Sequence, residues 1–303
     1  MVSIIIPIYN GEKTILRALE SVACQYVCKE LIVVDDFSTD KSMDIVERFS
    51  ENRNFNIIIT SVGEYSDKSK PTGVPNAARN IGVYLANGEY IALLDQDDWW
   101  VGDKLAEQVL AIYGCDICST SFIAHDLNTG KERLHGRDTN QVVLVDNMFE
   151  RFLMLDKTRQ TLMSTLMFRK DIYPPMDGNG ITDFHWTSQL LKNHRVAVIE
   201  KPLVYRGVSG NNASYNSKIR DATLKEQLQV LLKYGEKYDL RKSKKKIYGS
   251  YTRYLYQQKR YNESRHIFWS SRKGVKEIAY YFTSFIPPLA RWVSNKFCVW
   301  GDN

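Results

Sequence analysis

No stretch of the 303 residues is long and apolar enough to span a bilayer. The longest charge-free run near the C-terminus, 278 to 290, contains Pro287-Pro288 and falls short of the ~20 apolar residues a spanning helix needs. The N-terminus has no basic lead-in, and Pro7 follows only a few apolar residues, so neither a signal peptide nor an N-terminal anchor is expected. Cysteine is sparse and odd in number, five in all, which argues against a disulfide framework and predicts reduced thiols in a cytoplasm. Cys115 and Cys118 could be half of a zinc site, but no second CxxC or HxxxH pair stands near them to close a four-ligand cage. Two phosphate cradles are missing as well. No GxGxxG follows the first apolar run and no GxxxxGK[ST] occurs, which excludes a Rossmann dinucleotide site and a P-loop. Any phosphate must be held another way.

What is present has the balance of an ordinary globular protein, 44% hydrophobic and 25% charged, with length for two domains or one large α/β domain and an appendage. Charge divides unevenly. Residues 216 to 303 carry 19 basic and 7 acidic residues, whereas 1 to 215 carry 22 and 28. An acidic body with a basic tail predicts a tail that meets an anionic surface. A domain boundary is expected near 215, where Tyr, Lys and Arg begin to dominate, and three helical segments fit at about 218–239, 243–259 and 261–273.

Before that boundary, apolar runs alternate with helical periodicity. Strands are predicted at 2–8, 31–34, 57–59 and 90–94, with helices at 14–24, 38–49 and 76–85 between them. Further strands are expected around 116–122, 162–169 and 196–205, and helices at 145–155 and after Asp183. Such alternation predicts a doubly wound α/β fold, with ligands at the C-terminal strand ends. Those ends carry Tyr9, Asn10, Asp35, Asp36, Asp95, Asp97 and Asp98. Carboxylates from two strands should therefore converge on one crevice, and a divalent cation bridging to phosphate would neutralise them.

Four blocks now resemble a known family: VSIIIPIYNGE at 2–12, ELIVVDDFSTD at 30–40, GVPNAARNIGVYLANGEYIALLDQDDWW at 73–100 and TDFHWTSQLL at 182–191. In this order, over roughly residues 2 to 214, they are similar to the bacterial family-2 glycosyltransferases. The resemblance implies a GT-A fold, a mostly parallel sheet followed here by a helical, basic extension. It also implies inverting transfer of a sugar from a nucleotide diphosphate, UDP being expected, although Gln96 occurs in relatives that use deoxythymidine diphosphate donors. By resemblance, Pro7, Tyr9 and Asp36 contact the nucleoside and Arg79 lies beside the donor. Asn10, Glu12, Asn76, Asp95 and Gln96 complete the donor-binding set. Asp97, helped by Asp95, would hold Mn2+ or Mg2+ in a DxD motif. Asp183 would be the general base. Two positions depart from the family's pattern: Thr182 stands where Glu usually precedes the base, and Ser209 where a histidine can approach the metal.

Several readings stay open. His185 and His194 rival Asp183 as base, histidine being the residue type best suited to proton transfer near neutral pH. Trp99, Trp100 and Trp186 are either sugar-stacking platforms or core. The cluster 241–246 is either a solvated helix junction or, with the apolar and aromatic segment 275–303, an interface for anionic lipid at the inner face of the plasma membrane, suited to a glycan or lipid-linked saccharide acceptor. Nucleic acid is disfavoured, because no binding module accompanies the charge. A sugar nucleotidyltransferase would open with a glycine-rich loop bearing Arg and Lys, which this chain lacks, and a non-catalytic nucleotide-sugar or membrane-binding scaffold would be supported only by Thr182 and Ser209.

Overall fold

The computed structural model describes residues 1–51, 53–66, 75–156, 161–176, 183–209, 217–270 and 275–284. The chain divides into two units, Met1–Phe152 with Asp156–Asn212, and Leu153–Leu155 with the chain from Ala213 onward.

In the first unit, β1 (Val2–Ile8) and β2 (Lys29–Asp35) are almost wholly buried, because helices cover both faces of a parallel sheet and leave no polar side to alternate with. Between them runs α1 (Ile15–Ala23), which buries Ile15, Leu19 and Val22 as their helical spacing predicts. Next come α2 (Ser42–Ser50), β3 (Asn56–Ser61), α3 (Asn76–Leu85) and β4 (Tyr90–Leu93). They are followed by β5 (Trp99–Trp100), α4 (Lys104–Ala111), β6 (Ile117–Asp126), β7 (Glu132–His135), β8 (Val142–Val145) and α5 (Met148–Leu153). A 3-10 turn, Met163–Thr165, leads into β9 (Met167–Arg169), and α6 (Asp183–Leu191) precedes β10 (Val196–Val208). The expected strand at 162–169 is therefore half turn, and β5, α4, β7 and β8 had no forecast.

The strands join in the order β3-β2-β1-β4-β9-β6-β10-β5, with β7 on β6 and β8 on β10. Strands β3, β2, β1 and β4 are parallel, and β9 is antiparallel to both its neighbours. This is the doubly wound, mostly parallel sheet that the sequence predicts. Pairing of β1 with β4 stops at Ile5 and Leu93, whereas β1 stays beside β2 as far as Ile8 and Asp35. Pro7, which has no N–H for a ladder, lies in the stretch where β4 has already left. The two strands thus part at the point where strand order reverses, which is where an open α/β sheet forms its crevice.

The second unit is helical: α7 (Ser217–Lys233), α8 (Arg241–Gln257), α9 (Tyr261–Phe268) and α10 (Val275–Thr283). Tyr280 of α10 is 2% exposed and stacks 4.4 Å from Tyr256, with Tyr261 edge-on to the latter at 5.3 Å. Tyr280 is thus a packing residue in the segment offered as an interfacial candidate, 275–303. Its first part is a helix with a buried tyrosine, and 285–303 lie outside the described residues. Among the described residues no helix is long and apolar enough to cross a membrane.

Candidate functional site

At the end of β1 the chain turns through Asn10, whose φ of 47° lies in the left-handed region that asparagine tolerates. The two loops after β1 and β2 are then tied together. Asn10 Oδ1 accepts the Thr39 N–H at 2.8 Å, and Asn10 N–H donates to Ser38 Oγ at 3.0 Å. Glu12 Oε2 accepts from Lys41 N–H at 3.3 Å, while the Glu12 N–H donates to Asp40 at 3.0 Å. A second tie reaches the loop after β4. Gln96 accepts from the Tyr9 N–H at 2.8 Å and donates to the Tyr9 carbonyl at 2.9 Å, and a Cβ on Gly11 would stand 2.6 Å from the Gln96 Oε1. Asn10, Glu12 and Gln96 thus brace the crevice rim through their side chains. Tyr9 is 43% exposed, and Asp36 and Asn76 are buried. Asp36 extends β1 pairing by donating its N–H to the Ile8 carbonyl at 2.8 Å.

Arg79, on the first turn of α3, is 1% exposed. Its guanidinium donates to Asp95 Oδ1 at 2.6 Å and to Asp183 Oδ1 at 3.0 Å. One buried cation therefore joins the strand end of β4 to the N-terminus of α6, with Asp183 lying 104 residues along the chain from Arg79. The register of α6 is set next door: Asn80 accepts from the Tyr173 hydroxyl and the Met176 N–H and donates to the Met176 carbonyl, and Trp186 Nε1 donates to the Pro174 carbonyl at 2.7 Å. Asp183 is surrounded by protein yet 55% open to solvent, as a crevice wall is, and burial together with Asp95 raises its pKa against the pull of Arg79.

Burial first, and the Asp95 carboxylate second, push Asp97 up to about 6, while Arg206 and Arg17 oppose the shift. A carboxylate so strained electrostatically is stabilised by a cation. Asp98 differs from its neighbours. It is 2% exposed, takes a hydrogen bond from Ser164 Oγ at 2.5 Å and another from the Gly207 N–H at 3.0 Å, and burial holds its pKa well above the carboxylate range. Among the described residues no three His, Cys, Asp or Glu side chains form a metal cage. Two hard carboxylate oxygens, from Asp95 and Asp97, fit the small cations that take one or two protein carboxylates and complete their shell with substrate phosphate and water.

Three residues of this site went unassigned in the sequence. Arg17 of α1 lies 3.5 Å over the Trp99 ring and faces Asp97 and Asp98. Arg206 carries a positive charge close enough to Asp97, Asp98 and Asp183 to pull their pKa values down against burial. Ser164 is fully buried beneath the acidic loop. Arg206 stands three residues before Ser209, the position already noted for its departure from the family pattern, but Arg17 and Ser164 carry no local signal. The tryptophans turn out to be packing residues. Trp99 is covered by Arg17 on one side and stacks on Tyr205 at 5.0 Å, and Trp100 and Trp186 are 3% and 4% exposed. Of the rival bases, His194 pairs with Asp116 at 3.1 Å, just before β6 and so at the opposite end of that strand from the crevice, and His185 meets Gln189 one turn on at 3.3 Å. Thr182 lies outside the described residues, as do Asn211 and Asn212. Ser209 is partly buried just beyond β10.

A family profile, "Glycosyl transferase family 2", matches residues 3–173. The chain belongs to this family. Among its relatives, the Escherichia coli UDP-Glc:alpha-D-GlcNAc-diphosphoundecaprenol beta-1,3-glucosyltransferase WfaP is 38% identical over 110 residues, 36% of this chain and 40% of that protein. The Staphylococcus aureus poly(ribitol-phosphate) beta-N-acetylglucosaminyltransferase TarS is 27% identical over 215 residues, 67% of this chain and 35% of TarS. The chain thus spans well under half the length of these relatives. In fold, the family-2 chain is similar to the crystal structure of S. aureus TarS 1-349 in complex with UDP-GlcNAc, with a TM-score of 0.63 at 17% identity over 98% of this chain and 91% of that one. The fold is that of the GT-A glycosyltransferases.

Proposed function

We propose that this family-2 protein is a metal-dependent, inverting glycosyltransferase that moves a sugar from a UDP-sugar to a hydroxyl of a glycan or lipid-linked saccharide in bacterial surface polysaccharide assembly. The observation that carries the reading is the placement of Asp183 and Asp95 on one buried guanidinium, with Asp97 two residues further along the same loop. Catalysis of this kind needs a base beside the acceptor and a charge sink beside the leaving group, held at a fixed separation. Arg79 fixes it.

In this mechanism Asp183 accepts the proton of the acceptor hydroxyl as that oxygen bonds to the anomeric carbon. The bond from that carbon to the diphosphate breaks on the opposite face, and its electron pair leaves with the nucleotide. Arg79 keeps Asp183 oriented and favours its anionic, proton-accepting form. Asp97 and Asp95 would hold Mn2+ or Mg2+, which when bound supplies positive charge to the leaving diphosphate. Arg206 adds a fixed positive charge close to the same loop. The crevice at Pro7, Tyr9 and Asp36 suits the nucleoside. Support for uridine comes from the relative named for UDP-Glc and from solved neighbours holding UDP and UDP-GlcNAc.

The helical unit favours a peripheral position on an anionic membrane face. Helix α8 opens on Arg241, Lys242, Lys244, Lys245 and Lys246, and Leu240 at its N-cap provides no side-chain cap. Asp239 accepts from the Arg241 N–H and its guanidinium, but the lysines crowd an end whose own dipole is positive, and an anionic headgroup would relieve that repulsion. Trp269 and Phe282 are 62% and 66% exposed, as residues that enter a headgroup layer would be.

The test is nucleotide release from a panel of nucleotide sugars with Mn2+, Mg2+ or EDTA. Release of UDP that requires the metal, and that Asp97→Ala abolishes, is the expected result. Metal-independent release, or release unchanged in Asp97→Ala, would remove Asp97 from the metal role.

A further inference from the structure

The acidic loop after β4 is fixed from outside by two residues. Ser164 Oγ accepts the Asp95 N–H at 3.1 Å and donates to Asp98 Oδ2 at 2.5 Å, so one hydroxyl grips both ends of the Asp95–Asp98 turn. That turn is closed internally by the Asp98 N–H on the Asp95 carbonyl at 3.0 Å. The Ser164 carbonyl accepts from Trp100 Nε1 at 2.9 Å, which holds the chain just beyond the loop. From the other side, the Gly207 N–H of β10 donates to Asp98 Oδ1 at 3.0 Å. A Cβ at Gly207 would lie 2.1 Å from the Asp97 carbonyl oxygen, so only glycine lets β10 come this close. Ser164 and Asp98 are both buried, at 0% and 2% exposure, so water cannot replace either partner if one is lost.

We propose that Ser164, acting through Asp98 and Gly207, is a positioning residue for the metal-diphosphate end of the donor site. The inference rests on the functional reading above and deepens it. Asp98 is a structural tether, although it belongs to the same acidic run as Asp95 and Asp97. A hydroxyl is required because it must accept from an amide and donate to a carboxylate at once. Removing it frees the turn to change the separation of the Asp95 and Asp97 carboxylates, while the loops after β1 and β2 keep the hydrogen bonds that join them and Gln96, the residue of the turn that meets Tyr9, stays held by its two hydrogen bonds to the Tyr9 backbone.

The experiment measures binding of UDP and of uridine by calorimetry, each with and without Mn2+, to wild type, Ser164→Ala, Ser164→Cys and Gly207→Ala. In wild type, Mn2+ strengthens UDP binding and leaves uridine unaffected. In Ser164→Ala the Mn2+ enhancement falls on the order of tenfold, as when outer-shell partners of metal ligands are removed, while uridine affinity is unchanged. Gly207→Ala, which pushes the loop from the opposite side, shows the same split. Ser164→Cys, whose thiol is a weak donor, falls between, and it carries the measurement if the alanine variant does not fold. Full Mn2+ enhancement in Ser164→Ala, or parallel loss of uridine and UDP binding in the folded variants, overturns the positioning role. A wild type in which Mn2+ does nothing for UDP instead overturns the metal-dependent reading, and this inference with it.

Discussion

Arg79 serves two carboxylates, and its replacement separates their roles. Arg79→Met leaves Asp95 and Asp183 without their shared cation, at a cost below the ~3–5 kcal/mol of a fully buried pair, because the two carboxylates are 27% and 55% exposed and water screens them. A fall in melting temperature with loss of metal-dependent UDP release is expected; a variant with both unchanged would show that the bridge is dispensable. Asp183→Asn is milder. The amide keeps the shape and still faces Arg79, so UDP binding should persist while transfer drops by at least ~10²-fold. Transfer near wild type in this variant, with loss in His185→Ala, would move the base to His185. At this scale the sequence revealed the aspartates, because strand-end carboxylates stand out after apolar runs. It could not reveal Ser164, a serine in a short turn whose meaning depends entirely on the loop 66 residues earlier that it contacts.

Among the elements, α4 explains why some of the fold was hidden. Its buried positions include Lys104 and Gln108, both 0% exposed, so the apolar stripe that betrays a helix is broken where the helix faces inward. Strand β7 failed to register for the opposite reason, since Glu132, Arg133 and Leu134 are all exposed, and β5 is too short to have a period. Strands β1 and β2 and helix α3 were legible because buried parallel strands are continuous apolar runs and α3 keeps regular spacing. The hidden lysine has a measurable consequence. Lys104 Nζ has no hydrogen-bond partner and lies 3.8 Å over the Trp100 ring, and burial lowers its pKa from 10.5 to about 7. Between those two values the unfolded chain binds the extra proton, so stability rises with pH across that window and the penalty is fully present below about 7. Lys104→Met should flatten this rise and stabilise the protein at neutral pH by about 1–4 kcal/mol. Urea melts of both proteins at pH 7 and pH 9 provide the check; a pH dependence that survives the substitution would place the titrating group elsewhere.

For the whole molecule, charge separation and the helical unit make a prediction about surfaces. Wild type should sediment with vesicles containing anionic lipid and detach as salt rises, since each basic residue near such a surface contributes about 1 kcal/mol and is screened over ~8 Å at physiological ionic strength. Because Tyr280 is buried against Tyr256, deleting 275–303 would damage the helical unit, and the cleaner variant is Lys242→Glu with Lys245→Glu on exposed positions of α8. That double variant should stay in the supernatant and release UDP at the wild-type rate; equal sedimentation with neutral and anionic vesicles would sink the idea. The crevice has a kinetic consequence of its own. It arises because β4 stops pairing with β1 at Ile5 while β2 continues, so the gap belongs to the resting sheet and no strand has to be prised apart to admit a nucleotide. Donor arrival should then follow a single concentration-dependent phase in stopped flow, and crystals grown without nucleotide should accept it by soaking without cracking.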